Sequence, residues 1–362
     1  MTDQADRLRE LIRQMKEREQ RASAKEHPDM VGQSERSRNV KAVTVSGDEA
    51  FIGISPDGKR PPAAGIRAAL PNWEDASADF AKETRVIAVA SGKGGVGKTN
   101  FVLNFGLALR QLGHRVLIWD ADFGFSNLHV LMGQTPSVTL LSLLEKELDI
   151  WQAVTPGVEG LEYISSGQGM RELFHLTEEK LNHFLTQFMQ LRTYADYLLI
   201  DLGAGLSTHS LKLIQAADEL ILLTTPEPTS MTDAYALLKL LVLEERLLPV
   251  HLVINRAKNE REGVAVQKRM AAVAERFLSL QLNLLGVLLD DQHVEQAVVR
   301  QQPYMLAFPK SPISRRTREL AQRFIDGQPS SSTSTRPMTR ASFWGRFREI
   351  FHSVSPISHG KR

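Results

Sequence analysis

The chain has 362 residues, no cysteine, and 44 basic against 42 acidic side chains, a formal net charge of +2. The missing cysteines exclude disulfides, iron–sulfur clusters and thiolate zinc sites. The near-balance of charge gives no global nucleic-acid signature, so a nucleic-acid partner is not expected. No apolar run approaches the ~20 residues that span a bilayer, and the charged N-terminus carries no signal-peptide pattern. The cytoplasm is the expected location.

In chain order, residues 1–20 come first. Leu8, Leu11, Ile12 and Met15 form a narrow apolar stripe on an otherwise charged helical segment. A helix of that length is marginal alone in water, so it needs a partner protein or its own core to order it. Residues 21–84 have little periodicity and mix Gly, Pro and charges of both signs, as a linker does. Whether Val40–Val45 and Ala50–Ile54 form a small hairpin stays open.

The apolar run Val86–Ala90 leads into SGKGGVGKTN, and Phe101–Leu112 follows with helical spacing. Gly92, four residues, Gly97, Lys98 and Thr99 make a phosphate loop in its strand–loop–helix context. The segment Gly92, Lys93, Gly94, Gly95, Val96, Gly97, Lys98, Thr99 and Asn100 is the expected nucleotide cradle, with backbone N–H groups turned toward phosphate oxygens. Lys98 suits the β- and γ-phosphates and the Thr99 hydroxyl suits Mg²⁺. Lys93 is a second cation five positions earlier. Either it projects away to a second subunit's phosphates, or it is a solvent-facing lysine in a polar loop.

Arg115–Trp119 is a β-rich run that ends in Asp120-Ala121-Asp122. Two carboxylates at a strand's carboxyl end suit Mg²⁺ and an attacking water, with turn or cap aspartates as the alternative. Tyr197–Ile200 precedes Asp201-Leu202-Gly203-Ala204-Gly205. Asp201 stands where a Walker B carboxylate holds the metal. Gly203 and Gly205 leave the next loop free to move with the γ-phosphate. Glu219–Thr225 and Leu252–Ile254 are further strands, the second ending in Asn255-Arg256. Helical patterns run over Glu178–Arg192, Met231–Leu243 and Val264–Phe277, with strand-like runs at Leu161–Ile164 and Leu284–Leu289. The alternation implies an α/β domain over residues 85–326, a mostly parallel twisted sheet with helices on both faces.

Residues 327–340 are rich in Ser, Thr and Pro, a flexible linker. In residues 341–362, Phe343, Trp344, Phe347, Ile350 and Phe351 fall along one helical face. From Gly327 onward six Lys or Arg stand against one Glu, a net +5. Bulky aromatics flanked by arginines suit an anionic membrane surface. The alternative is a helix packed on the domain, which a Ser-rich tether is expected to hold poorly.

The KGGVGKT loop resembles the deviant Walker A loop of the MinD/ParA ATPases. DADFGFSNLHVLMG, from Asp120, is similar to that family's first switch, departing from it at Phe123 and Phe125. The Asp201–Gly205 run resembles its second switch, and Pro226–Tyr235 its PEPT-xxTDAY segment. The resemblance implies a slow, dimer-activated ATPase with ATP and Mg²⁺ sandwiched in a homodimer. It makes Lys93 the signature lysine that crosses between subunits and Asp122 the residue that orients the catalytic water. Asp120 would assist the metal shell with Thr99 and Asp201, Asn127 would support the switch, and Asn255, beside Arg256, would read the adenine edge.

Asp3-Gln4-Ala5-Asp6-Arg7-Leu8-Arg9 resembles the DQAxxLR motif of FlhG-type (FleN/YlxH) flagellar-number regulators. That implies stimulation of an FlhF-type signal-recognition-particle GTPase, with Gln4 assisting its site. It also implies reversible membrane attachment and contact with flagellar switch-complex proteins or a transcription regulator. Two rivals remain: a division-site regulator, and a DNA-partitioning ATPase, although no basic cluster stands out in the ATPase region.

Overall fold

Apolar runs that are too short for helices and flanked by Gly, Asp and Pro become the strands of one sheet. β1 (Arg85–Ser91) is followed by α1 (Lys98–Gln111), β2 (Val116–Ala121) and the short helices α2 (Leu128–Leu131), α3 (Leu140–Lys146) and α4 (Ile150–Ala153). Then come β3 (Thr155–Pro156), β4 (Glu162–Ser165), α5 (Glu178–Met189), β5 (Tyr197–Leu202), α6 (Thr208–Ala216), β6 (Glu219–Thr224) and α7 (Pro228–Leu243). β7 (Val250–Ala257), α8 (Glu260–Leu278), β8 (Asn283–Leu289), α9 (Gln292–Val299), α10 (Tyr304–Ala307), α11 (Pro312–Asp326) and α12 (Phe343–His352) complete the elements. This computed structural model describes residues 83–352 apart from 123–126, 137, 147, 168–176, 206, 245–247 and 328–341. The expected N-terminal helix with Asp3, Gln4, Ala5, Leu8 and Arg9, and nearly all of both linkers, lie outside the described residues. Chain contacts divide the protein into residues 1–70 and 71–362, and everything described belongs to the second unit.

The strand order is β3-β4-β2-β5-β1-β6-β7-β8. Every neighbouring pair is parallel except β3 with β4. Parallel strands covered on both faces read as continuous apolar runs, and β1 is such a run. Its Val86, Ala88 and Ala90 enter one core layer, under α5 to α8, while Ile87 and Val89 enter the other, under α1 and α11. β1 lies between β5 and β6, where the chain stops adding strands on one side and starts on the other. Ligands bind outside the carboxyl ends of strands at such a point.

The C-terminal helix departs from the membrane expectation. In α12, Phe343, Trp344 and Phe347 are at most 1% exposed. Phe347 stacks on Phe188 with centroids 4.9 Å apart and meets Trp119 edge-on at 6.1 Å. Ile350 packs on the same cluster; the Phe351 side chain lies outside the described residues. Arg346, one of the arginines flanking these aromatics, caps the end of α6. It donates to the carbonyls of Ala216 (2.8 Å) and Ala217 (3.0 Å) and pairs with Asp218 at 2.9 Å. The amphipathic stripe specified that a face would be buried, but not against what. The tether argument fails because loop-closure entropy rises only slowly with length. The indole N–H of Trp344 is buried without an acceptor among the described residues, an unfavourable element in an otherwise well-packed contact.

Candidate nucleotide site

The loop after β1 turns on glycine. Gly95 and Gly97 have φ of 78° and 89°, the left-handed region that other residues enter at a cost. Gly97 is the N-cap of α1, with no side chain closing the helix end. The first N–H groups of α1 are therefore open to an anion. Gly92 is needed for another reason: a Cβ there would lie 2.2 Å from the backbone carbon of Asp233 in α7. The phosphate loop thus rests directly on α7.

The two lysines of the loop occupy different environments. Lys98 is buried, and its Nζ lies 2.5 Å from Oδ1 of the fully buried Asp201 in β5. Asp201 Oδ2 is buried with no hydrogen-bond partner among the described residues. A buried carboxylate oxygen in that state calls for a cation or a donor. Among the described residues no group of three or more His, Asp or Glu is built to enclose a metal. Mg²⁺ fits such a site, because it keeps most of its shell as water and phosphate oxygen. Thr99 and Asp201 are the residues that would hold it, and it would neutralise charge on the phosphates. Lys93, by contrast, is 40% exposed and points to α7, where its Nζ meets Glu227 Oε2 at 2.8 Å and Thr229 Oγ1 at 3.1 Å.

The segments after β2 and β5 meet at this end of the sheet. β2 pairs with β5 so that Asp120 aligns with Asp201. Asp120 is buried and accepts from the N–H of Asp122 (3.3 Å) and of Leu128 (3.2 Å), which ties the start of α2 to the end of β2. Asn127 is the N-cap of α2, without a side-chain capping bond. A methyl group at Gly203 would stand 3.2 Å from Asp122 Oδ1, so the glycine leaves room for that carboxylate. The N–H of Gly205 donates to the carbonyl of Ser91 at 3.2 Å, tying the segment after β5 to the start of the phosphate loop.

A cleft of ≈ 180 Å³ opens beside the loop between Gly97, Asn100, Asn255, Arg256, Asp290 and Val294. Asn255 Nδ2 donates to the Val96 carbonyl at 2.7 Å and so braces the loop. Its Arg256 neighbour has φ 58° and reaches toward Asp290 at 3.5 Å. Sequence reasoning missed Glu227 and Thr229 as partners of Lys93. It also missed Asn104, which is fully buried in α1 and accepts from the Met305 N–H at 3.0 Å, joining α1 to α10. The Pro226–Thr229 run was visible, but its closeness to Lys93 depends on β6 lying next to β1.

A glycine loop opening a helix, a buried lysine on it, and a strand-end aspartate facing that lysine define a P-loop nucleotide-binding protein. A family model described as "ParA: NUBPL iron-transfer P-loop NTPase" matches residues 82–325. The chain belongs to this ParA/MinD family of P-loop NTPases. The iron-transfer part of that description finds no thiolate here, since the chain lacks cysteine. Antiactivator FleN of Pseudomonas aeruginosa is 36% identical over 245 residues, 68% of this chain and 87% of that protein. Flagellum site-determining protein YlxH of Helicobacter pylori is 32% identical over 207 residues, 57% of this chain and 69% of that protein. The septum site-determining protein MinD of Pyrococcus horikoshii OT3, solved with Mg-ADP, aligns with TM-score 0.55 and 25% identity. It covers 67% of this chain and 98% of its own.

Proposed function

We propose that this protein is a MinD-like, Mg²⁺-dependent ATPase that dimerises on ATP and sets flagellar number or placement. The observation that carries the switch is the division of labour in the loop. Lys98 is buried beside Asp201, ready for the chain's own nucleotide, while the Lys93 side chain is partly exposed and reaches Glu227 of α7 instead. A cation so placed stabilises charge in a neighbouring subunit's phosphates, as an arginine finger does. Asp122, against Gly203, orients the attacking water; Asn255 and Arg256 receive the base. The flagellar role is supported by the likeness to FleN and YlxH, and an antiactivator-like contact with a flagellar transcription regulator fits the same output. Residues 1–20 stimulate an FlhF-type GTPase through Asp3, Gln4, Ala5, Leu8 and Arg9.

On this reading α12 leaves its groove to reach the anionic inner face of the cell membrane. Two such helices on one dimer then add avidity to a weak single contact. The unpaired Trp344 N–H makes leaving less costly. The test is hydrolysis and vesicle sedimentation of the full chain with ATP and Mg²⁺. Asp122→Ala should retain ATP and lose at least ~100-fold in turnover, the lower end of the general-base range. Wild type should sediment with anionic vesicles only with ATP. An active Asp122→Ala protein would remove the catalytic assignment, and binding to DNA with indifference to vesicles would favour the partitioning alternative.

A further inference from the structure

Lys93 is engaged within its own chain. Its ammonium sits between the Glu227 carboxylate and the Thr229 hydroxyl, at 2.8 and 3.1 Å. Glu227 is the N-cap residue of α7, yet its side chain makes no capping bond. The carboxylate is spent on the loop instead of on its own helix. The loop side is fixed as well: the Ser91 hydroxyl donates to the Lys93 carbonyl at 2.9 Å. Gly92 lies against the backbone of Asp233 and Ala234 so closely that no Cβ fits. The loop is therefore seated on α7, and a long side chain leaving Lys93 meets the first turn of α7. The hydrogen bond from Lys93, and then its charge, hold the Glu227 carboxyl below the usual carboxylate range, with Arg256 adding to the effect.

A carboxylate oxygen and a hydroxyl oxygen around an ammonium reproduce the acceptor set that a terminal phosphate offers. We propose that Glu227 and Thr229 are an in-chain stand-in for the neighbouring subunit's γ-phosphate. They hold Lys93 at home until a nucleotide-loaded partner displaces them. Glu227 is thus a positioning residue that opposes dimerisation, acting through Lys93. A γ-phosphate, with more negative charge and three acceptor oxygens, outcompetes a single carboxylate; a diphosphate lacks that group and leaves Lys93 in place. The same logic operates at Lys98, where Asp201 occupies the cation that the chain's own phosphates would take. Each lysine of the loop is neutralised by a carboxylate of its own chain, one buried and one exposed.

The inference rests on the sandwich-dimer reading, and the experiment separates the two. Sedimentation velocity of the full chain with Mg²⁺ and a non-hydrolysable ATP analogue measures the dimer dissociation constant. Glu227→Gln should tighten it by about two- to five-fold for each lysine released, and about four- to 25-fold for the two in a dimer, as expected of exposed pairs. The gain should shrink as salt rises from low to high ionic strength, since the lost pair is screened. Affinity for ADP should stay unchanged. In the nucleotide-free monomer, acylation of Lys93 followed by mass spectrometry should be faster in Glu227→Gln, and in Thr229→Val to a smaller degree. An unchanged or weakened Glu227→Gln dimer, or a gain independent of salt, overturns the latch while the dimer stands. If wild type stays monomeric with the analogue, the dimer reading falls. Lys93 acylation then decides the cis contact alone, and equal rates in wild type and Glu227→Gln remove that too.

Discussion

The phosphate loop lies at the carboxyl end of β1 and the C-terminal helix packs over one face of the sheet, and the two are held in place by different kinds of information. The loop takes its shape from its own residues: two glycines at positive φ, and a helix that begins where they end. The helix takes its position from residues far away in sequence: Trp119 of β2, Phe184 and Phe188 of α5, and the carbonyls at the end of α6. The first kind of structure survives being read one segment at a time. The second exists only after the sheet has assembled and its strand order has created a groove. The two are also connected. Trp119 immediately precedes Asp120 in β2, and α6 follows the Asp201–Gly205 run, so α12 rests on elements adjoining the strand ends that carry Asp120 and Asp201.

Removing one member of the buried pair tests the loop most severely. Lys98→Ala leaves Asp201 buried without its counter-charge, at a cost of about 3–5 kcal/mol. A lower Tm together with loss of ATP binding by calorimetry is expected; an unchanged Tm would mean that the pair is not formed. Phe347→Ala should cost about 3–5 kcal/mol of docking, because the ring fills the centre of the aromatic cluster. Its effect should appear as early protease cleavage within α12, with the Tm of the domain little changed. Domain unfolding in place of local release would show that α12 belongs to the core and is not a separable element.

Arg346→Ala removes the three acceptor contacts at the end of α6, worth about 1–3 kcal/mol for bonds to a charged donor. It should raise vesicle binding without nucleotide, measured by the same sedimentation. Equal binding by wild type and Arg346→Ala would uncouple docking from the membrane. The smallest effect is expected from Asn255→Ala, which frees the Val96 carbonyl at the loop. A loss of about 0.5–1.5 kcal/mol, some two- to ten-fold in ATP affinity, follows from one hydrogen bond. A larger loss, specific to ATP over GTP, would add a direct contact with the base.

Much of the nucleotide site was legible because P-loop chemistry is encoded in contiguous residues. Gly92 to Asn100 carried the cradle, and Asp120, Asp122 and Asp201 each closed an apolar strand. Element limits shifted by a few residues; Asp201 lies inside β5 and not beyond it, since the strand continues to Leu202. α9, α10 and α11 went unnamed, although α11 with Phe324 completes the layer over α1. Its apolar residues are separated by arginines, so the segment reads as charged until its partner face is known. Glu227 went unnoticed for the same reason: nothing within ten residues of it indicates Lys93.

What the sequence determined by itself was everything that backbone sterics and short-range spacing can encode: a phosphate loop on a strand–helix turn, carboxylates at strand ends, and an aromatic stripe requiring burial. Tertiary structure alone decided which carboxylate each lysine meets and which surface receives the stripe. Those pairings depend on β6 lying beside β1 and on α5 and α6 flanking a groove. Charge and hydrophobicity are attractions without an address, and only the assembled sheet supplies one.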